Sequence, residues 1–112
     1  MKRVVAYLRP HRLEDVKSAL APLPLTGLSV ADARGTGDRP EKAVSLLGQA
    51  LVISLPVRVR LETVVADDLV DEVIATIVEA ARTGAPGDGK IFVEEIGDAI
   101  KIRTGETGEL AI

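Results

Sequence analysis

Residues 57–81 read VRVRLETVVADDLVDEVIATIVEAA, and within this stretch the hydrophobic period changes from that of a strand to that of a helix. Val57, Val59 and Leu61 alternate with Arg58, Arg60 and Glu62, which predicts a strand with one apolar and one charged face. Asp67 or Asp68 then suits a helix N-terminus, where an acidic group meets the positive end of the helix dipole. Val70, Val73, Ile74, Ile77, Val78 and Ala81 follow as one apolar stripe at helical spacing.

The same strand-to-helix order occurs near the start. Residues 4–8 are short, β-branched and closed by Pro10, while Leu13, Val16, Ala19 and Leu20 recur at helical spacing until Pro22 and Pro24 stop them. A faint repeat links the two units, since Leu13-Glu14-Asp15-Val16 and Leu69-Val70-Asp71-Glu72-Val73 follow the first and third strands at the same place. Residues 28–33 read as a second strand, entered through Gly27 and closed by Gly35-Thr36-Gly37. Residues 91–96 and 99–103 read as two more, separated by Gly97-Asp98. The expected architecture is a single α+β domain over residues 1–112, ferredoxin-like βαββαβ with an additional C-terminal strand. Between Gly35 and Pro56 no period holds, so a long loop at about residues 36–55 is expected to face a partner.

Composition narrows the function. The 112 residues are 46% hydrophobic and 28% charged, which suits a folded domain. With one Phe, one Tyr and no Trp, the core must be built from Val, Ile, Leu and Ala, and burial in an oligomer would supplement it. The absence of Cys excludes disulfides and thiolate metal sites, and His11 alone cannot build a histidine zinc site. Mg²⁺ stays open, because it takes few protein ligands beside phosphates. A net charge of −3 argues against nucleic acid as a partner. The apolar stretch after Met1-Lys2-Arg3 stops at Arg9-Pro10, and the longest apolar run, residues 50–55, is broken by Ser54 and followed by Pro56. Neither a signal peptide nor membrane insertion is expected, and the reading is cytoplasmic. With a single histidine and with Asp67-Asp68 and Glu94-Glu95 at a helix cap and a strand end, no catalytic residue and no enzymatic activity are expected.

Gly84-Ala85-Pro86-Gly87-Asp88-Gly89-Lys90 matches all but the last position of the phosphate-loop pattern G-x-x-x-x-G-K-[ST]. Ile91 stands where the metal-binding hydroxyl belongs, a helix precedes the loop and a strand follows, so this is not an NTPase phosphate loop. Glycines that let backbone N–H groups approach an anion remain, with a lysine at the loop's exit. Lys101 and Arg103, two apart on the expected last strand, would add two cations on one face.

These residues resemble a known family. The run from Ala81 to Val93 through Thr83-Gly84 and Gly87-Asp88-Gly89-Lys90, followed by Ile102-Arg103-Thr104-Gly105-Glu106, closely resembles the carboxy-terminal signature of PII signal-transduction proteins. Arg9-Pro10, Leu13, Val16, Ala19-Leu20, Gly35-x-Gly37, Glu62 and Val65-Ala66-Asp67-Asp68 resemble that family as well. The resemblance implies a ferredoxin-like homotrimer that binds ATP, ADP or AMP in clefts between subunits, with Mg²⁺ able to accompany ATP. It implies a regulator acting on a membrane transporter or metabolic enzyme through the long loop. By position, Ser29, Gly35, Gly37, Glu62 and Val64 would hold the adenosine, and Gly87, Asp88, Gly89 and Lys90 with Lys101 and Arg103 the phosphates. Arg58 keeps the positive charge of the family's lysine at that place.

The departures from the family pattern gather in the loop. Asp38 replaces a basic residue, Leu51 replaces a tyrosine that can be uridylylated, and Arg39 replaces a glutamine that helps hold Mg²⁺ and 2-oxoglutarate. A guanidinium has no acceptor atom to offer a cation. Lys101 stands where the family has arginine and loses bidentate geometry. The alternative expectation is therefore a divergent PII-like protein that senses adenylate plus a small anion such as bicarbonate.

Overall fold

In the computed structural model, residues 1–37, 42–43, 52–53 and 55–112 are described. β1 (Lys2–Leu8) lies inside a four-stranded antiparallel sheet, between β5 (Val57–Val65) and β6 (Gly89–Glu95), and β2 (Ser29–Arg34) flanks β5 on the far side. Two helices, α1 (Leu13–Leu20) and α2 (Val70–Ala81), each follow an inner strand of that sheet. The spatial order β2-β5-β1-β6 is the ferredoxin-like arrangement expected from the sequence. β3 (Lys42–Ala43) and β4 (Val52–Ile53) form a separate antiparallel pair within the long loop. Residues 38–41, 44–51 and 54, with Asp38, Arg39 and Leu51, lie outside the described residues.

Period two decides which face of the sheet the helices cover. Val4, Ala6 and Leu8 of β1 join Val59, Leu61 and Val65 of β5, Val16 and Leu20 of α1, and Val70, Val73, Ile77 and Ala81 of α2 in one buried cluster. No aromatic residue belongs to it, as the composition requires. Thr63 falls in the apolar phase of β5 and is buried there, with its hydroxyl donating to the Gly27 carbonyl at 2.6 Å. That bond satisfies the polar group and lets β5 continue to Val65, beyond the alternation evident in the sequence. Val78, assigned to the buried stripe of α2 from its spacing, is 40% exposed.

The opposite face carries the intervening residues. Arg3 lies opposite Val64 and Glu94, Val5 opposite Glu62 and Phe92, and Tyr7 opposite Arg60 and Lys90. Arg3 pairs with Glu94 at 2.7 Å and with Glu62 at 3.7 Å, and Arg60 pairs with Glu62 at 3.1 Å. Tyr7 and Phe92 meet edge to face, with centroids 6.2 Å apart.

Two expectations are corrected. Asp67 and Asp68 make no side-chain cap: a 3-10 turn at Asp67–Leu69 leads into α2, and the Asp67 carboxylate pairs with Lys2 Nζ at 3.2 Å. Residues 99–103 do not form a strand. They turn back on themselves through one bridge, Ile100 to Thr107, closed by Lys101 N–H to the Glu106 carbonyl at 2.9 Å and Gly105 N–H to the Lys101 carbonyl at 2.7 Å. A strand needs a partner for its N–H and C=O groups, and here the chain's own tail supplies one locally. Among the described residues no helix is long and apolar enough to cross a membrane.

Leu61 is fully buried at the centre of the cluster, so Leu61→Ala should cost about 2–5 kcal/mol in urea unfolding. Val78→Ala should cost a small fraction of that.

Candidate functional site

The loop between α2 and β6 gets its shape from backbone that only glycine adopts readily. Gly87 and Gly89 have φ of 102° and 107°. A Cβ on Gly89 would lie 1.6 Å from the Tyr7 carbonyl oxygen, so β6 begins in direct contact with β1. Gly89 faces Leu8 and Lys90 faces Tyr7, which sends Lys90 to the uncovered side of the sheet.

Asp88 organises the loop from within. One carboxylate oxygen accepts the Thr83 and Gly84 backbone N–H groups, each at 2.9 Å. The other accepts the Thr83 hydroxyl and, at 3.2 Å, Arg9 Nε. Arg9 Nη2 also donates to the Pro86 carbonyl at 2.6 Å, tying the loop to the end of β1. The Thr83 hydroxyl holds the Asp88 carboxyl well below the usual carboxylate range, and the Thr83 and Gly84 N–H groups and Arg9 act in the same direction against burial.

This loop forms one wall of a 770 Å³ cleft, whose other walls come from Gly35, Thr36 and Gly37 after β2, from Arg58 on β5, and from Tyr7 and Phe92. Gly35 is fixed there by its N–H to the Pro56 carbonyl at 3.2 Å. Of the residues singled out in the sequence, the cleft brings together Gly35, Gly37, Arg58, Gly87, Asp88, Gly89 and Lys90. Arg34 and Arg82 also line it; Arg82 lies within the signature run without a role assigned to it and Arg34 had no signal in the sequence, because only the fold brings the end of β2 beside the end of α2. Among the described residues Lys90 and Arg82 make no ion pair, while the carboxylate in the lining, Asp88, is paired within the loop. The cleft is therefore electropositive, with flexible cations and backbone N–H groups able to meet an anion.

Ser29, Glu62, Val64, Lys101 and Arg103 do not line this cleft. Ser29 and Glu62 face each other across β2 and β5. Val64 lines a second cleft of 430 Å³ together with Thr26, Glu109 and Ile112. Lys101 and Arg103 sit on the C-terminal turn, where Lys101 approaches Glu106 at 3.8 Å.

A sequence model of the family described as Nitrogen regulatory protein P-II matches residues 1–106. Proteins named Nitrogen regulatory protein P-II from Rhodobacter capsulatus and Cereibacter sphaeroides are 45% and 42% identical to this chain over 112 residues, with 100% of both chains covered. Nitrogen regulatory protein P-II 1 of Escherichia coli (strain K12) is 39% identical over 112 residues, again with 100% of both covered. A crystal structure of Arabidopsis thaliana PII bound to citrate superposes with a TM-score of 0.78 at 42% identity, covering 99% of this chain and 91% of that one. Full-length likeness to proteins named for nitrogen regulation does not favour the alternative of a divergent member that senses a small anion instead.

Gly89→Ala should cost about 1–3 kcal/mol through its backbone conformation alone. Displacement of β6 from β1 adds to that, whereas Gly27→Ala, which meets nothing within 4 Å, should be close to neutral in the same urea titration. Because the Asp88 carboxyl is depressed on folding, its contribution is in place above about pH 4 and is lost as pH falls below that value. Hydrogen exchange at the Gly84 amide, corrected for intrinsic rate, should stay protected from pH 7 down to about pH 4.

Proposed function

From the premise that this chain belongs to the nitrogen regulatory protein P-II family, we propose that it is a signal-transduction regulator that binds an adenine nucleotide, ATP, ADP or AMP, against the loop at Gly87–Lys90. The observation that carries this reading is the electropositive cleft in which three glycines at positive φ, Gly84, Gly87 and Gly89, and Lys90 and Arg82, which make no ion pair among the described residues, meet Gly35, Gly37 and Arg58. Its volume lies in the range of small-molecule and cofactor sites. Each charge-assisted hydrogen bond from such groups to a phosphate contributes about 1.5–3 kcal/mol. A few of them, added to backbone donors, supply the roughly −8 kcal/mol of a micromolar site after ordering costs.

The cleft of one chain holds only part of the expected contact set. Ser29, Glu62, Val64, Lys101 and Arg103 belong to other surfaces of the same chain, and we take them to complete the site from a neighbouring subunit of a homotrimer. Three features support that division. Among the described residues the sheet face opposite the helices is uncovered, it carries the half-exposed Phe92, and the C-terminal turn presents Arg103 beside a fully exposed Ile102. Covering such surfaces also supplements a core without aromatic residues.

Among the described residues no group of His, Cys, Asp and Glu could hold a metal ion. A Mg²⁺ that accompanies ATP would draw most of its ligands from phosphate oxygens and water, as this ion commonly does. Membership of a family of regulators supports a reading of regulation and not catalysis. The output is assigned to the long loop between β2 and β5, which departs from the sheet beside Gly35 and Gly37, two residues of the cleft. Occupancy of the cleft and the setting of the loop that docks on a transporter or metabolic enzyme are thereby adjacent.

Isothermal calorimetry with ATP and ADP tests this reading. Lys90→Ala and Arg103→Ala should each weaken binding roughly ten- to a hundredfold, following the strength of one charge-assisted bond, while light scattering still reports a trimer. Absence of adenylate binding by the wild-type protein would overturn it.

A further inference from the structure

Asp88 stands inside the glycine loop, at a place where phosphate is expected, and it carries the wrong sign of charge for a phosphate contact. The hydrogen bonds resolve the conflict. A carboxylate has about four lone-pair sites. All of them are taken by the chain's own donors: the Thr83 and Gly84 N–H groups on one oxygen, the Thr83 hydroxyl and Arg9 Nε on the other. Nothing is left on the carboxylate for a ligand. The guanidinium of Arg9 also offsets its charge, so the loop does not repel a phosphate.

The same bonds fix the loop at three points. Thr83 and Gly84 hold its start, where the Thr83 hydroxyl also accepts the Ala85 N–H at 3.2 Å. Pro86 holds its middle through Arg9 Nη2 at 2.6 Å. Gly89 holds its end against the Tyr7 carbonyl. Arg9 is the residue after β1, so the anchor is the inner strand of the sheet and not another loop. We propose that Asp88, with Arg9 and Thr83, is a positioning residue: it clamps the loop so that Gly87, Gly89 and Lys90 face the cleft before any nucleotide arrives, and it does not itself touch the ligand. The clamp explains how a glycine-rich segment, entropically costly to order, presents a pre-formed anion site.

Only the affinity arm of the test rests on the nucleotide reading above. Asp88→Asn replaces one acceptor with an NH₂ group that faces other donors, and Arg9→Ala removes the anchor. In the nucleotide-free protein, amide hydrogen exchange at Thr83 and Gly84, the two N–H groups that Asp88 accepts, should quicken at least about tenfold in each variant, while α2 and β1 keep their protection. ATP affinity measured by calorimetry should fall at least about tenfold in each, the cost of re-ordering one backbone residue. The double variant should be no worse than either single one, because both break one device. Arg9→Lys, which cannot reach Asp88 and Pro86 together, should be no better than Arg9→Ala, and Thr83→Ser should behave as wild type.

Unchanged exchange in the nucleotide-free variants would overturn the clamp. So would an affinity loss confined to Asp88→Asn, which marks direct contact with the ligand. If the wild-type protein binds no adenylate, the nucleotide reading fails, and the exchange arm alone still decides the clamp.

Discussion

The contact between Gly89 and the carbonyl of Tyr7 governs the geometry of this molecule's cleft. A Cβ at position 89 has no space, so β6 starts against β1 only because glycine stands there. That contact sets the register in which Lys90 opposes Tyr7, Ile91 opposes Ala6 and Phe92 opposes Val5. Period two then does the sorting: Ile91 packs toward the buried cluster, whereas Lys90 and Phe92 stand on the uncovered face. A slip of one residue would exchange them, burying a lysine and emptying the cleft of its cation. Fold and site therefore rest on the same backbone contact.

Much of the architecture was legible because it depends on local periodicity. Val57, Val59 and Leu61 on β5, and Val70, Val73 and Ile77 on α2, identify strand and helix without reference to anything distant. Several departures are places where hydrogen-bond or charge partners, unseen in the local pattern, decide. Thr63 lies just past the alternation read from Val57 to Glu62, and it is buried within β5 because Gly27, from another segment, accepts its hydroxyl. Asp67 looked like a helix cap, and it is claimed by Lys2. Residues 99–103 had the alternation of a strand, and in the single chain they close on residues 105–107 because no sheet edge receives them.

The site divides in the same way. The glycines and Lys90 were legible because their chemistry lies in consecutive residues. The roles of Arg34 and Arg82 were not, because they come from the crossing of two chain segments, although Arg82 stands within the signature run. Arg9 illustrates the point most clearly. It was noted only as part of a dipeptide with Pro10, yet its guanidinium spans to Asp88 and Pro86 across the junction of β1 and the loop.

That the cleft lacks Lys101 and Arg103 bears on how ligand and assembly relate. A tail that turns on itself cannot bring those cations to the loop of its own chain, since Ala99, Lys101, Gly105 and Gly108 spend their backbone bonds within the turn. In the proposed trimer they reach a neighbour's cleft, and a nucleotide then bridges two chains. A ligand that binds only the assembled state stabilises it by about 2.7 kcal/mol at a hundredfold excess over its dissociation constant. Adenylate would on this reading hold subunits together as well as report energy status. The coupling would require no conformational change in the sheet, because the proposed clamp fixes the loop on one chain and the tail on the other completes the contact. On this reading the bonds that hold Gly89 and Asp88 and those that close the C-terminal turn shape two halves of one site carried on two chains.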